Sequence, residues 1–198
     1  QGRTAGALAL TGTPKYWEGF SVDPKSVAHA AYGDADGVER VLAQAPGQFA
    51  GIVVEPVQGE GGVIPATPAF LKDLRALADR HGALLIVDEI QTGIGRTGTW
   101  FGYQRAGIVP DVIALAKGLA GGVPIGAMLL REEHDAILSA GSHGCTFGGN
   151  ALAAAAGLAV VATMKRERIL EHVLAMGERL SAGLRAIAGR HPTVCEGE

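Results

Sequence analysis

Cysteine is nearly missing from this sequence: Cys145 and Cys195 are its two, and no CxxC pair occurs. That excludes a cysteine-built metal or redox site and a disulfide framework, so a reducing, cytoplasmic setting is expected, with no bound metal. Proline is scarce at 9 residues and glycine shows no triplet period, which excludes collagen and disordered linker. No apolar run reaches the roughly 18 residues that suggest a membrane span. Positive charge is neither in excess (net -3) nor gathered into a stripe, so nucleic acid is not an expected partner.

What is abundant is glycine, at 30 of 198 residues against an average usage of about 7%. Glycine at that level suggests turns and close backbone approaches, as a cofactor site needs. Hydrophobic residues at 47% and charged ones at 19% suit a soluble domain with a buried core. The start, Gln1-Gly2-Arg3-Thr4, and the end, Cys195-Glu196-Gly197-Glu198, both read as cut, so a piece of a longer protein is expected.

The first forty or so residues are mixed, with turn signals at Gly12-Thr13-Pro14 and Gly33-Asp34. Beyond them, apolar runs at 51–54, 84–87, 111–115 and 125–130 predict strands. Between the first two, Thr67-Pro68 predicts a helix start, Phe70, Leu71, Leu74, Leu77 and Ala78 recur at helical spacing, and Gly82 predicts the stop. Further helices are expected at 132–138, at 150 to about 164, and at 168–190, where Ile169, Val173, Met176, Leu180, Leu184 and Ile187 form an apolar stripe. Alternating strands and helices predict an α/β sheet, with right-handed crossovers between parallel strands.

In such sheets ligands bind beyond the carboxyl ends of the strands, and the polar residues fall there: Glu55, Asp88 with Gln91, and Lys117. Singly, each is an ordinary strand-end or surface residue. Gly93-Ile94-Gly95-Arg96-Thr97-Gly98 matches a dinucleotide fingerprint, but Asp88, Glu89 and Gln91 intervene after the strand, and the Thr99-Trp100-Phe101 that follows is a poor helix start. The second glycine loop, 141–149, leads into a helix and includes Thr146; it reads either as an anion site or as a plain N-cap by Asn150.

Four stretches carry a resemblance: Glu55-Pro56-Val57-Gln58-Gly59-Glu60-Gly61-Gly62; Val87-Asp88-Glu89-Ile90-Gln91 through Gly98; Ala116-Lys117-Gly118; and Thr146-Phe147-Gly148-Gly149-Asn150. Together, in order and with 29 positions from Asp88 to Lys117 and 29 more to Thr146, they resemble the class III aminotransferases of fold type I, most of all the acetylornithine type of arginine biosynthesis. The resemblance implies the large domain of a pyridoxal 5'-phosphate transferase, a mostly parallel sheet flanked by helices and truncated at both ends. Residues 1–165 would be part of that domain, and residues 166–198 a linking helix and the start of a smaller one.

It implies that Lys117 bonds the cofactor and moves the substrate proton, that Asp88 faces the ring nitrogen, and that Gln91 lies near the phenolic oxygen. Ile90 would pack on the ring, and Thr146 would bind the phosphate from a neighbouring subunit. Arg3, Glu60 and Cys145 match substrate positions; Cys145 stands where acetylornithine enzymes carry serine or threonine, and Gln1 where many members carry histidine. A homodimer with interfacial active sites, small amino-acid and 2-oxoacid substrates, and transfer from N-acetylornithine or a related ω-amine to 2-oxoglutarate are implied. Ornithine or 4-aminobutyrate transfer, the aminomutase branch, and a catalytically silent α/β fragment are the other readings.

Overall fold

The computed structural model describes residues 2–191; Gln1 and the segment 192–198, with Cys195, lie outside the described residues. The chain opens with a short helix α1 (Ala5–Ala9) and two single turns of 3₁₀ helix, then α2 (Ala35–Gln44). The Gly33-Asp34 turn signal is the start of α2: the Asp34 side chain accepts from the Gly37 amide at 2.8 Å, the capping bond that satisfies an otherwise orphaned donor. A mixed sequence thus hides a helix that its own cap announces.

β1 (Gly51–Val54) follows, then a short hairpin of β2 (Val57–Gln58) and β3 (Ile64–Pro65), two strands that the sequence analysis did not name. Helix α3 (Pro68–His81) has the predicted ends: Thr67 Oγ1 accepts from the Phe70 amide at 3.1 Å, and Gly82 closes it in the left-handed region. β4 (Leu84–Asp88), β5 (Val112–Leu115) and β6 (Ala127–Leu130) complete the main sheet, whose spatial order is β1-β4-β5-β6. β1, β4 and β5 are parallel, and β6 runs antiparallel to β5. The link from β5 to β6 is shorter than the dozen or so residues a parallel crossover takes, so the chain turns back instead.

The segment predicted as a helix at 132–138 is 3₁₀, and α4 (Ala151–Arg166) and α5 (Ile169–Ala188) end the described chain. The core lies between α3 and the sheet, where Leu71, Leu74, Ala78, Leu85 and Val87 are almost wholly buried. Burial alternates along β4: Leu85 and Val87 lie in the core with α3, while Leu84 and Ile86 are half-buried. α5 is amphipathic as its stripe predicts, yet Leu180 (64% exposed), Leu184, Met176 and Ile187 line an open groove. Met128, Leu129, Phe147, Leu152 and Leu158 are exposed as well. No helix among the described residues is long and apolar enough to cross a membrane.

Candidate active site at the strand ends

Parallel pairing of β4 and β5 sets the site. The register places Asp88 opposite Ala114, three residues before Lys117, so a carboxylate and an amine emerge at the same edge of the sheet. Asp88 ends β4, and its Oδ1 accepts from the Ile90 amide at 2.9 Å, which turns the chain and sends Gln91 back across the strand ends. Lys117 begins a 3₁₀ turn directly after Ala116, and its Nζ donates to Gln91 Oε1 at 2.6 Å. Its backbone is left-handed, with φ 45°. α4 packs against that 3₁₀ turn, where the Leu119 carbonyl lies against Gly157.

Glu89 holds the loop in place, a role the sequence reading did not give it. It is 1% exposed, and its carboxylate accepts from the Gly102 amide at 2.9 Å, the Tyr103 amide at 2.8 Å and the Thr92 hydroxyl. Its own amide donates to the Ala114 carbonyl at 3.0 Å, and its carbonyl accepts from the Gly93 amide at 2.8 Å. A buried carboxylate needs such donors to offset its lost hydration. The signal was in the sequence, as an acidic pair at a strand end, but a pair says nothing about which member turns inward.

On the far side of β4, Glu55 follows β1. Its Oε2 accepts from the Gly59 amide at 3.3 Å, and its carbonyl accepts from the Tyr32 hydroxyl at 2.8 Å. Burial, together with the Glu55 charge, pushes the Tyr32 phenol up to about 12. Glu55, Gln58, Asp88 and Tyr32 line a cavity of about 420 Å³ beside β1.

The structure therefore brings Asp88, Ile90, Gln91 and Lys117 together. Among the described residues, no hydrogen bond or ion pair links Arg3, Glu60, Cys145 or Thr146 to Gln91 or Lys117. Arg3 is exposed, its guanidinium 4.1 Å over the Tyr16 ring. Glu60 sits exposed in the β2–β3 turn, and Cys145 and Thr146 lie in a wholly exposed loop before α4. Asn150 caps α4 through the Ala153 amide at 2.9 Å.

The dinucleotide-like glycines have a packing role. No α-helix lies between them and β5, only a 3₁₀ turn at Gly102–Ala106, and side chains at Gly95 and Gly98 would run into Met164, Leu170 and Leu174. Asp111, predicted to open β5, precedes it and is 4% exposed. It accepts from the Leu85 amide and Arg75 at 2.7 Å each, and from Arg131 and His134 at 3.3 Å. Glu133 and His134 lie close enough to share a cation with it, but two guanidinium groups already occupy Asp111, so this is an ion-pair hub joining α3, β4 and the end of β6. Burial raises the Asp111 carboxyl, while the Leu85 amide, Arg75 and His134 outweigh it and hold the group below the ordinary carboxylate range.

A family model described as Aminotransferase class-III matches residues 1–196. The chain is 50% identical over 191 residues to an acetylornithine aminotransferase of Myxococcus xanthus, covering 96% of this chain and 47% of that protein. It is 43% identical over 196 residues to one of Synechocystis, covering 98% and 46%. The structure resembles an ornithine aminotransferase of Toxoplasma gondii, described with partial occupancy of PLP at its active site. That match has a TM-score of 0.84 and 36% identity, and covers 96% of this chain and 43% of that one. A transaminase from the marine bacterium Virgibacillus matches with a TM-score of 0.88 and 29% identity, over 96% and 46%. The chain spans about half the length of the curated relatives it matches.

Proposed function

The chain belongs to the class III aminotransferase family, and on that premise we propose that the whole protein moves an amino group from N-acetylornithine, or a related ω-amine, to 2-oxoglutarate. The observation that carries this reading is the meeting of Lys117 Nζ and Gln91 Oε1 at 2.6 Å, beside Asp88, at the ends of two parallel strands. The similarity to acetylornithine aminotransferases at 43–50% identity favours that amine over ornithine.

An amine, a carboxylate and an amide acceptor on one strand-end edge form a donor set that fits pyridoxal 5'-phosphate. When bound, that cofactor supplies an aldehyde that captures amines and a ring that draws charge from a deprotonating carbon. Lys117 would hold it and carry the proton to and from the substrate carbon. Asp88 would keep a proton on the ring nitrogen, Ile90 would cover the ring face, and Gln91 would take the phenolic oxygen. Thr146 would bind the phosphate, and Arg3, Glu60 and Cys145 would meet the substrate.

The exposure of Thr146 and Cys145, with the large apolar side chains of Phe147 and Leu152 exposed close by in sequence, supports their being covered in a homodimer. We assign residues 1–165 to the large domain and 166–198 to the linking helix and the start of a smaller one; the open apolar groove on α5 supports a further domain packed there. A cytoplasmic setting fits the scarcity of cysteine.

The test is to express the full-length gene product, load it with cofactor, reduce with borohydride and sequence the labelled peptide, then offer a panel of amine donors. Label on Lys117 and preference for N-acetylornithine are expected. A well-folded protein with no label on Lys117 would point instead to a silent scaffold.

A further inference from the structure

We propose that Gly59 is a positioning residue for the Lys117 amine, because its bare Cα is the seat on which the Gln91 amide lies, and that amide holds Lys117. A Cβ on Gly59 would fall 2.7 Å from Gln91 Nε2 and 2.8 Å from both Cδ and Oε1. All three atoms of the amide are equally close, so the group lies flat against the glycine. Gly59 is not in the left-handed region, so its backbone conformation does not itself call for glycine. The demand is for space.

Both partners are fixed from behind. The Gly59 amide donates to Glu55 Oε2 at 3.3 Å, and its carbonyl accepts from the amides of Gly62 and Val63 at 3.3 and 3.2 Å. Gln91 follows the Asp88 turn and the buried Glu89 anchor. Lys117 alone is free to swing on its long stem, and Gln91 Oε1 is the acceptor that stops it at 2.6 Å. Holding a lysine in one rotamer spends side-chain entropy before any ligand arrives, so the amine is presented at the strand ends rather than sampling solvent.

This inference rests on Lys117 being the residue that bonds the cofactor. In that loading reaction Nζ forms a C=N bond to the aldehyde carbon, and the aldehyde oxygen leaves as water with two amine protons. The experiment follows the visible band after cofactor-free full-length protein is mixed with pyridoxal 5'-phosphate, with borohydride trapping to count label on Lys117. Gly59→Ala, Gln91→Ala, their combination and the unchanged protein are compared, each with a thermal melt.

Gly59→Ala is expected to melt with the unchanged protein, because the three atoms nearest a methyl there all belong to the far end of a flexible side chain, and to load about tenfold more slowly. Gln91→Ala should slow loading by a similar factor, and the double variant should be no slower than Gln91→Ala alone. Loading of Gly59→Ala at the unchanged rate or faster overturns the proposal, as does further slowing in the Gln91→Ala background. Failure of Gly59→Ala to fold also overturns it, since the methyl would then be displacing backbone rather than the amide. If the unchanged protein itself takes no label on Lys117, the functional reading fails first and this one with it.

Discussion

Arg75 and Asp111 meet at 2.7 Å across the seam between α3 and the start of β5, with only 4% of the Asp111 side chain exposed. The same carboxylate receives the Leu85 amide, so one group ties a helix to two strands. Asp111→Asn leaves Arg75 and Arg131 facing a neutral amide. A loss of about 3 kcal/mol is expected from chemical denaturation, as when one partner of a buried pair is removed. The folded carboxyl lies below its unfolded value, so its contribution is complete above the ordinary carboxylate range and is lost as pH falls through the depressed folded value. Unfolding curves taken down into acid should therefore be flatter for the variant.

Glu89→Gln keeps the shape of the side chain but leaves it one acceptor oxygen, with an amide NH₂ pressed against a backbone donor. A cost of about 2 kcal/mol is expected, and hydrogen exchange at Gly102 and Tyr103 should quicken well before the rest of the core opens. Unchanged exchange at those two amides would show that the loop is held by something other than Glu89.

Tyr32 gives an alkaline signature. Its folded phenol is raised to about 12, above the ordinary value of 10.0, so the folded chain retains the proton longer than the unfolded one. That contribution is intact below pH 10.0 and is lost as pH climbs towards about 12. Tyr32→Phe should lower stability at neutral pH by about 1 kcal/mol, through the lost bond to the Glu55 carbonyl. It should also weaken the decline in stability on the alkaline side, measured by denaturant midpoints against pH.

Asp88→Asn separates charge from shape. Asparagine can still accept from the Ile90 amide, so the melting temperature should stay close to that of the unchanged protein. In the full-length protein kcat for the proposed transfer is expected to fall by about 10²-fold or more, because the charge proposed to face the ring nitrogen is gone. Turnover within a factor of two would remove Asp88 from the proposed site.

Much of this architecture was legible because each signal had a single physical meaning. Thr67-Pro68 and Gly82 mark helix ends wherever they occur around an amphipathic run, and α3 lies between them. The apolar runs ending in Asp88 and Leu115 became adjacent parallel strands, which carried Asp88 and Lys117 to one edge. What was not legible depends on burial and direction. Glu89 reads as a loop carboxylate and Asp111 as the first residue of a strand; only the fold decides that both turn inward and find donors. β6 reads as another strand, but its antiparallel sense follows from a short link and not from its residues. α2 was missed because Gly33-Asp34 signals a turn and an N-cap equally well.

The left-handed backbone at Lys117 has a consequence for any attempt to improve this protein. A side chain held at φ 45° costs on the order of 1–2 kcal/mol that glycine would not incur. A library screened for heat resistance alone would therefore favour Lys117→Gly among its early winners. Val63, Ile94 and Arg168 share that left-handed backbone, but Lys117 is the one the proposed function places at the chemistry, so a screen for robustness needs a catalytic readout in the same round.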